Sequence, residues 1–200
     1  MSKSTIKQYD QAYFDRWYRG KHATQPQTLA RKVALAVAVT EWHLGRPIRS
    51  VLDIGCGEAP WRKALLKLRP DLHYQGVDAS EYVVRRFGRS RNIVLASFGQ
   101  MQQLRIGPPA DLLVCADVMH YIPAAELKRG LQGFAELCAG VAYLDVFCRE
   151  DAITGDFKGF IARSAKQYRT LFAQAGFTAL GGHCYLSPQC DTPVSALERL

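Results

Sequence analysis

No part of this sequence is apolar for long. The longest such stretch, Val33 to Val39, runs straight into Thr40, Glu41 and His43. It falls far short of the roughly 18 apolar residues that span a bilayer. Met1 to Tyr9 is polar and holds no apolar segment of the kind that directs secretion. No membrane partner is therefore expected, and a cytoplasmic location is expected by default. The six cysteines, Cys56, Cys115, Cys138, Cys148, Cys184 and Cys190, form no CxxC pair. Cys56, Cys115 and Cys148 lie in or beside apolar runs, which fits buried, reduced thiols. His183, Cys184 and Cys190 are close in sequence, but their spacing matches no zinc pattern, so no metal is expected. Internal repeats and low-complexity tracts are also missing.

What is present suits a chain that buries a full core. Of the 200 residues, 48% are apolar, enough for one domain. The formal net charge is +8, which is compatible with an anionic partner such as nucleic acid. The cations are scattered, however. The densest groups are Arg85, Arg86, Arg89 and Arg91, and Arg62, Lys63, Lys67 and Arg69. Solvated helix faces account for them better than a nucleic-acid groove, so nucleic acid is a disfavoured partner. The sequence says nothing about oligomeric state.

Tyr9 to Arg19 is aromatic-rich, with Tyr13, Phe14, Trp17 and Tyr18 at helical spacing. Lys21 to Gln27 reads as a loop. A second helix runs from about Thr28 to Leu44 and stops at Gly45 and Pro47. Residues 1–45 are thus expected to form a helical extension, and residues 46–200 the main domain. From Arg49 onward short apolar runs alternate with helical ones. Strands are expected at Arg49–Ile54, Tyr74–Val77, Ile93–Ala96, Asp111–Cys115, Val141–Phe147, Phe177–Tyr185 and Val194–Arg199. Helices are expected at Pro60–Leu68, Glu81–Phe87, Pro123–Cys138 and Ser164–Ala175. Apolar strands separated by helices imply an α/β, doubly wound, mostly parallel sheet covered on both faces. Ligands bind such sheets outside the carboxyl ends of the strands.

Two motifs stand at those ends. The first is Val51-Leu52-Asp53-Ile54-Gly55-Cys56-Gly57-Glu58-Ala59, a strand entering a glycine turn before a helix. Gly55 and Gly57 permit positive φ and close approach, and the helix N-terminus offers free N–H groups. The second is Gly76-Val77-Asp78, about 20 residues on, where an acid accepts hydrogen bonds from ribose hydroxyls. Alone, Asp78 reads as a turn residue; behind a glycine turn, it reads as part of a nucleoside site. A dinucleotide site calls for GxGxxG, and its third glycine is here Pro60.

VLDIGCGEA followed by GVDAS instead resembles the DxGxG signature of class I S-adenosylmethionine-dependent methyltransferases. The resemblance covers roughly Ser50 to the C-terminus. It implies a Rossmann-like seven-stranded sheet whose last strand is antiparallel, S-adenosylmethionine as cofactor and S-adenosylhomocysteine as product. It also implies a backbone cradle for the methionyl part at Gly55, Cys56 and Gly57. Asp53 would order that loop, Asp78 would bind the ribose, and Ala79, Ser97 and Phe98 would lie at the adenine. Ala116 and Asp117 would close the pocket beside the transferred methyl. At position 97 the family more often has an acid.

Methyl transfer from a sulfonium asks the protein chiefly to position and desolvate the acceptor. His120 is a candidate general base, with Asp117 beside it; packing against the following helix is an equal reading of His120. Tyr121 and Arg149 are candidate acceptor contacts, and Tyr13, Phe14 and Trp17 a candidate lid. The place of the family's nucleic-acid tetrad reads Ala116-Asp117-Val118-Met119, and no Pro-Cys dipeptide exists. A small-molecule acceptor is therefore expected. An RNA methyltransferase and a non-catalytic cofactor-binding protein are the alternatives.

Overall fold

The computed structural model describes residues 9–19, 25–152, 156–192 and 194. Two helices come first, α1 (Gln11–Tyr18) and α2 (Pro26–Leu44). They are followed by β1 (Ser50–Ile54), α3 (Pro60–Leu68), β2 (His73–Asp78), α4 (Glu81–Arg91) and β3 (Ile93–Leu95). Then come β4 (Ala110–Ala116), α5 (Ala124–Leu137), β5 (Cys138–Asp145), α6 (Ala165–Gln174), β6 (Thr178–Gly181) and β7 (Cys184–Leu186). Helix α2 starts with Pro26 in its first turn and closes on Gly45 at φ 63°, the left-handed stop that glycine makes without strain.

The strands form one seven-stranded sheet in the order β3-β2-β1-β4-β5-β7-β6. Strands β1 to β5 pair in parallel, and β7 runs antiparallel between β5 and β6. Every residue of β4 except Ala116 is buried, as are the last four of β1. That is why these runs show no polar alternation. One face of the sheet packs on Val33, Ala36 and Val37 of α2, Trp61 and Leu65 of α3 and Val83 of α4. The other packs on Leu127, Leu131 and Phe134 of α5 and on Phe172 of α6. At the amino end of the sheet Arg46 grips Asp111 through both guanidinium nitrogens, at 2.9 and 2.7 Å.

The C-terminal strands differ from the expectation. Phe177–Tyr185 is not one strand but two arms of a hairpin, turning at Gly182 and His183, whose φ angles are 57° and 64°. This hairpin supplies both final strands. The expected strand Val194–Arg199 lies outside the described residues apart from Val194, which is not in a strand. Gly181-Gly182, inside this run, is the turn signal that the single-strand reading passes over.

Sequential order reverses between β1 and β4, so the connections leaving these strands part to opposite faces. A crevice opens at their carboxyl ends.

Candidate functional site

A cleft of about 750 Å³ occupies that crevice, within the roughly 300–1,000 Å³ usual for small-molecule sites. The turn after β1 forms its floor. Gly55 and Cys56 both donate their N–H to the Val77 carbonyl, at 2.8 and 3.1 Å, which ties the turn to β2. Gly57 N–H donates to Asp78 Oδ2 at 2.7 Å, and Ser80 N–H donates to Asp78 Oδ1 at 2.8 Å. Each carboxylate oxygen keeps lone-pair capacity for a second donor. Burial pushes the Asp78 carboxyl up, and the N–H groups of Ser80, Gly57 and Ala79 oppose the rise.

Gly55 and Gly57 hold φ of 70° and 52°. A Cβ on Gly55 would stand 2.4 Å from Val118 Cγ2, and one on Gly57 would stand 2.1 Å from the Tyr18 hydroxyl. The expectation gave these bare carbons to a ligand; they face side chains, and contact with a ligand is left to the backbone. Beneath the turn Tyr74 donates to Asp53 Oδ2 at 2.7 Å. Burial raises the Asp53 carboxyl to about 7, against that hydrogen bond and helped by the charge of Asp78. Burial also pushes the Cys56 thiol far up, so it stays an inert thiol.

Helix α1 covers the cleft. Asp10 caps it by accepting the Tyr13 N–H at 3.0 Å. Ser80 Oγ donates to the Tyr9 carbonyl at 2.5 Å, and Arg19 pairs with Glu58 at 2.7 Å. Phe14 is 2% exposed and stacks on Tyr82 with ring centroids 5.7 Å apart. Tyr13, Phe14 and Trp17 line the cleft, and so do Tyr9 and Tyr18.

At the carboxyl ends of β4 and β5 the lining becomes charged. Asp117 has φ 60°, and its N–H donates to the Asp145 carbonyl at 3.0 Å. Its carboxyl faces the cavity while protein closes in behind it. That burial, then the charge of Asp145, raises it to about 6, with Lys32 and His183 opposing. Lys32, from α2, donates to Asp145 Oδ2 at 2.5 Å. Burial lowers the Lys32 ammonium, but Asp145 outweighs it and the net shift is upward.

His120 is 1% exposed. Its Nδ1 accepts the Phe147 N–H at 3.4 Å, and its ring packs on Tyr121, Phe147 and Phe160. Tyr121 donates to the Asp156 carbonyl at 2.8 Å. Arg163, itself 6% exposed, braces this segment by donating to the carbonyls of Met119 and Ile122, at 3.2 and 2.5 Å.

Most of the residues expected at a site line this one cleft: Asp53, Gly55, Cys56, Gly57, Asp78, Ala79, Phe98, Ala116, Asp117, His120 and Tyr121. Two do not. Ser97 caps a short 3-10 turn over Phe98–Gln102 through a capping box with Gln100. Arg149 is exposed and pairs with Glu150. Lys32, Trp61 and Phe147, which are not among the expected site residues, also line the cleft. Their signal is tertiary: Lys32 reaches the site from a helix that precedes the glycine turn.

Residues 52–141 match the family model described as a methyltransferase domain. A sugar N-methyltransferase from Streptoalloteichus superposes with a TM-score of 0.62 at 19% identity, over 82% of this chain and 84% of that one. Magnesium protoporphyrin IX methyltransferase from Synechocystis, solved with bound SAH, gives 0.62 at 20% identity over 84% and 86%. An S-adenosylmethionine-dependent methyltransferase from Clostridium acetobutylicum gives 0.62 at 13% over 94% and 93%. At these identities the likeness is one of fold. No curated protein matches the sequence.

Proposed function

We propose that this chain, which carries a class I S-adenosylmethionine-dependent methyltransferase domain, methylates a small-molecule acceptor in the cleft at the carboxyl ends of β1 and β4. The observation that carries this reading is the Asp78 carboxylate. It is fixed by two backbone N–H groups at 2.7 and 2.8 Å and keeps lone pairs for the vicinal hydroxyls of a ribose.

The rest of the lining fits a cationic nucleoside. Among the described lining residues four carboxylates, Asp53, Asp78, Asp117 and Asp156, face one ammonium, Lys32. The cleft is thus acidic inside a chain of net charge +8. A sulfonium gains from those carboxylates and from the aromatic faces of α1. A polyanionic backbone would be repelled, which favours a small acceptor over RNA.

In this reading the cofactor supplies an activated methyl and a neutral thioether leaving group. The residues of the chain position and dehydrate. The glycine turn and Asp78 hold the cofactor from the β1–β2 side. Phe98 and Ala79 flank the adenine, and Asp53 stiffens the turn from below through Tyr74. Helix α1 excludes water with Tyr13, Phe14 and Trp17. Tyr121 and the ends of β4 and β5 receive the acceptor in line.

Calorimetry with S-adenosylhomocysteine, against NAD as control, tests this reading. Saturable one-site binding of the first and none of the second is expected. Binding of neither, by folded protein, overturns it.

A further inference from the structure

We propose that the methyl acceptor is an amine and that the Asp117 carboxylate receives it and takes its proton. The inference rests on the proposed methyl-transfer reading and goes beyond it in naming the acceptor class.

The four acids of the cleft are not equivalent. Asp53 accepts from the Tyr74 hydroxyl, and Asp78 accepts from two backbone N–H groups. Asp156 accepts the Lys158 N–H at 3.0 Å. Among the described residues no hydrogen bond reaches the Asp117 carboxylate, although it lines the cavity beside two charged neighbours. Its backbone sits at φ 60°, a left-handed conformation that non-glycine residues seldom hold without a reason. The bond from its N–H to Asp145 at 3.0 Å keeps it there. Asp117 is exposed to the cavity, so a carboxylate held there, with no protein donor among the described residues, is open to a donor on an incoming acceptor.

Charge decides what kind of donor. Lys32 is spent on Asp145 at 2.5 Å, so the pair is close to neutral and Asp117 is left as the uncompensated charge. His183 stands 3.7 Å from Asp145, with Tyr121 and Tyr143 also within electrostatic reach of Asp117. An acceptor bearing carboxylate or phosphate at this point meets repulsion from Asp117. An ammonium meets attraction, and the rings of Tyr121, Tyr13 and Trp17 in the same lining suit it further.

The step balances without another reactant. The ammonium gives a proton to the Asp117 carboxylate. The freed nitrogen pair forms the new C–N bond, the C–S bond breaks, and its electron pair stays on sulfur as a thioether. Asp117 then returns its proton to water. Its carboxyl, titrating at about 6, is ionised at neutral pH and basic enough to serve.

The test uses full-length protein, labelled S-adenosylmethionine and a small-molecule extract, half of it treated with an N-acetylating succinimide ester. Label transfer into mock-treated extract and loss of that transfer, at least tenfold, after acylation are expected. Transfer that survives acylation overturns the amine assignment, whereas failure to bind S-adenosylhomocysteine in calorimetry overturns the underlying reading instead. Asp117→Asn keeps the shape and the tolerance for left-handed φ. It is expected to lower kcat about 100-fold and leave S-adenosylhomocysteine affinity within about threefold. Lys32→Met removes the opposing charge, so the acid limb of kcat/KM against pH is expected to move to higher pH. A limb that stays in place overturns the proton-acceptor role of Asp117.

Discussion

Asp78 and Gly57, 21 residues apart in sequence, meet through a 2.7 Å hydrogen bond from the glycine N–H to the aspartate Oδ2. The acid at the end of β2 therefore shapes the turn after β1 while lining the cleft. Asp78→Ala is expected to weaken S-adenosylhomocysteine binding by about 1–3 kcal/mol, the range for a lost charge-assisted hydrogen bond. Titration calorimetry checks it, and unchanged affinity would remove Asp78 from the site.

Gly57 is crowded from the other side. Gly57→Ala places a methyl 2.1 Å from the Tyr18 hydroxyl at a φ of 52°. A left-handed alanine alone costs about 1–2 kcal/mol. The variant is expected to melt several degrees lower. A second change, Tyr18→Ala, is expected to cost less in the Gly57→Ala background than in the parent, because there it also relieves the clash. Additive shifts in a double-mutant cycle would show that the two groups do not touch.

Asp53 carries a pH-dependent cost. Its folded carboxyl titrates at about 7, above the ordinary value of 3.8, so folding disfavours the ionised form. The cost is absent below about pH 4, grows as pH rises from about 4 to 7 and is constant above that. Asp53→Asn keeps an oxygen for the Tyr74 hydroxyl and removes the charge. It is expected to stabilise the protein by about 4 kcal/mol at pH 8, falling to about 1–2 kcal/mol at pH 5. Urea denaturation at the two pH values measures the difference. A larger gain at pH 5 than at pH 8 would reverse the sign and sink the account.

Arg163 is buried and serves two carbonyls, those of Met119 and Ile122. Arg163→Met retains much of the stem but takes the guanidinium donor from the Ile122 carbonyl, while the Met119 carbonyl keeps only the Ile122 N–H. A loss of about 2–3 kcal/mol in stability is expected. The kcat/KM should fall with little change in S-adenosylhomocysteine affinity, since the braced segment carries His120 and Tyr121 rather than the glycine turn. Steady-state kinetics alongside calorimetry separates the two effects.

Much of this arrangement is legible along the chain. The helix that opens at Pro60 and closes at Leu68 begins and ends where a proline and the last apolar position put it. From Leu112 to Ala116 strand β4 is a continuous apolar run because both of its faces are covered. Phe177–Tyr185 reads as one strand only when Gly181-Gly182 is passed over; the φ angles of Gly182 and His183 place the reversal there. Ser97 and Phe98 adjoin in sequence, yet one caps a turn outside the cleft lining while the other lies buried, its ring centroid 5.3 Å from that of Phe134.

The sequence by itself determined the alternation of strand and helix, the glycine turn and the acid that follows it. These are local matters of periodicity, φ preference and spacing, which short segments encode. Tertiary structure alone decided that Tyr18 seats on Gly57, that Lys32 is spent on Asp145 and that Asp117 is left facing the cavity. Those pairings join residues far apart in the chain, and only the packing of α1 and α2 over the sheet brings their charges and rings within reach.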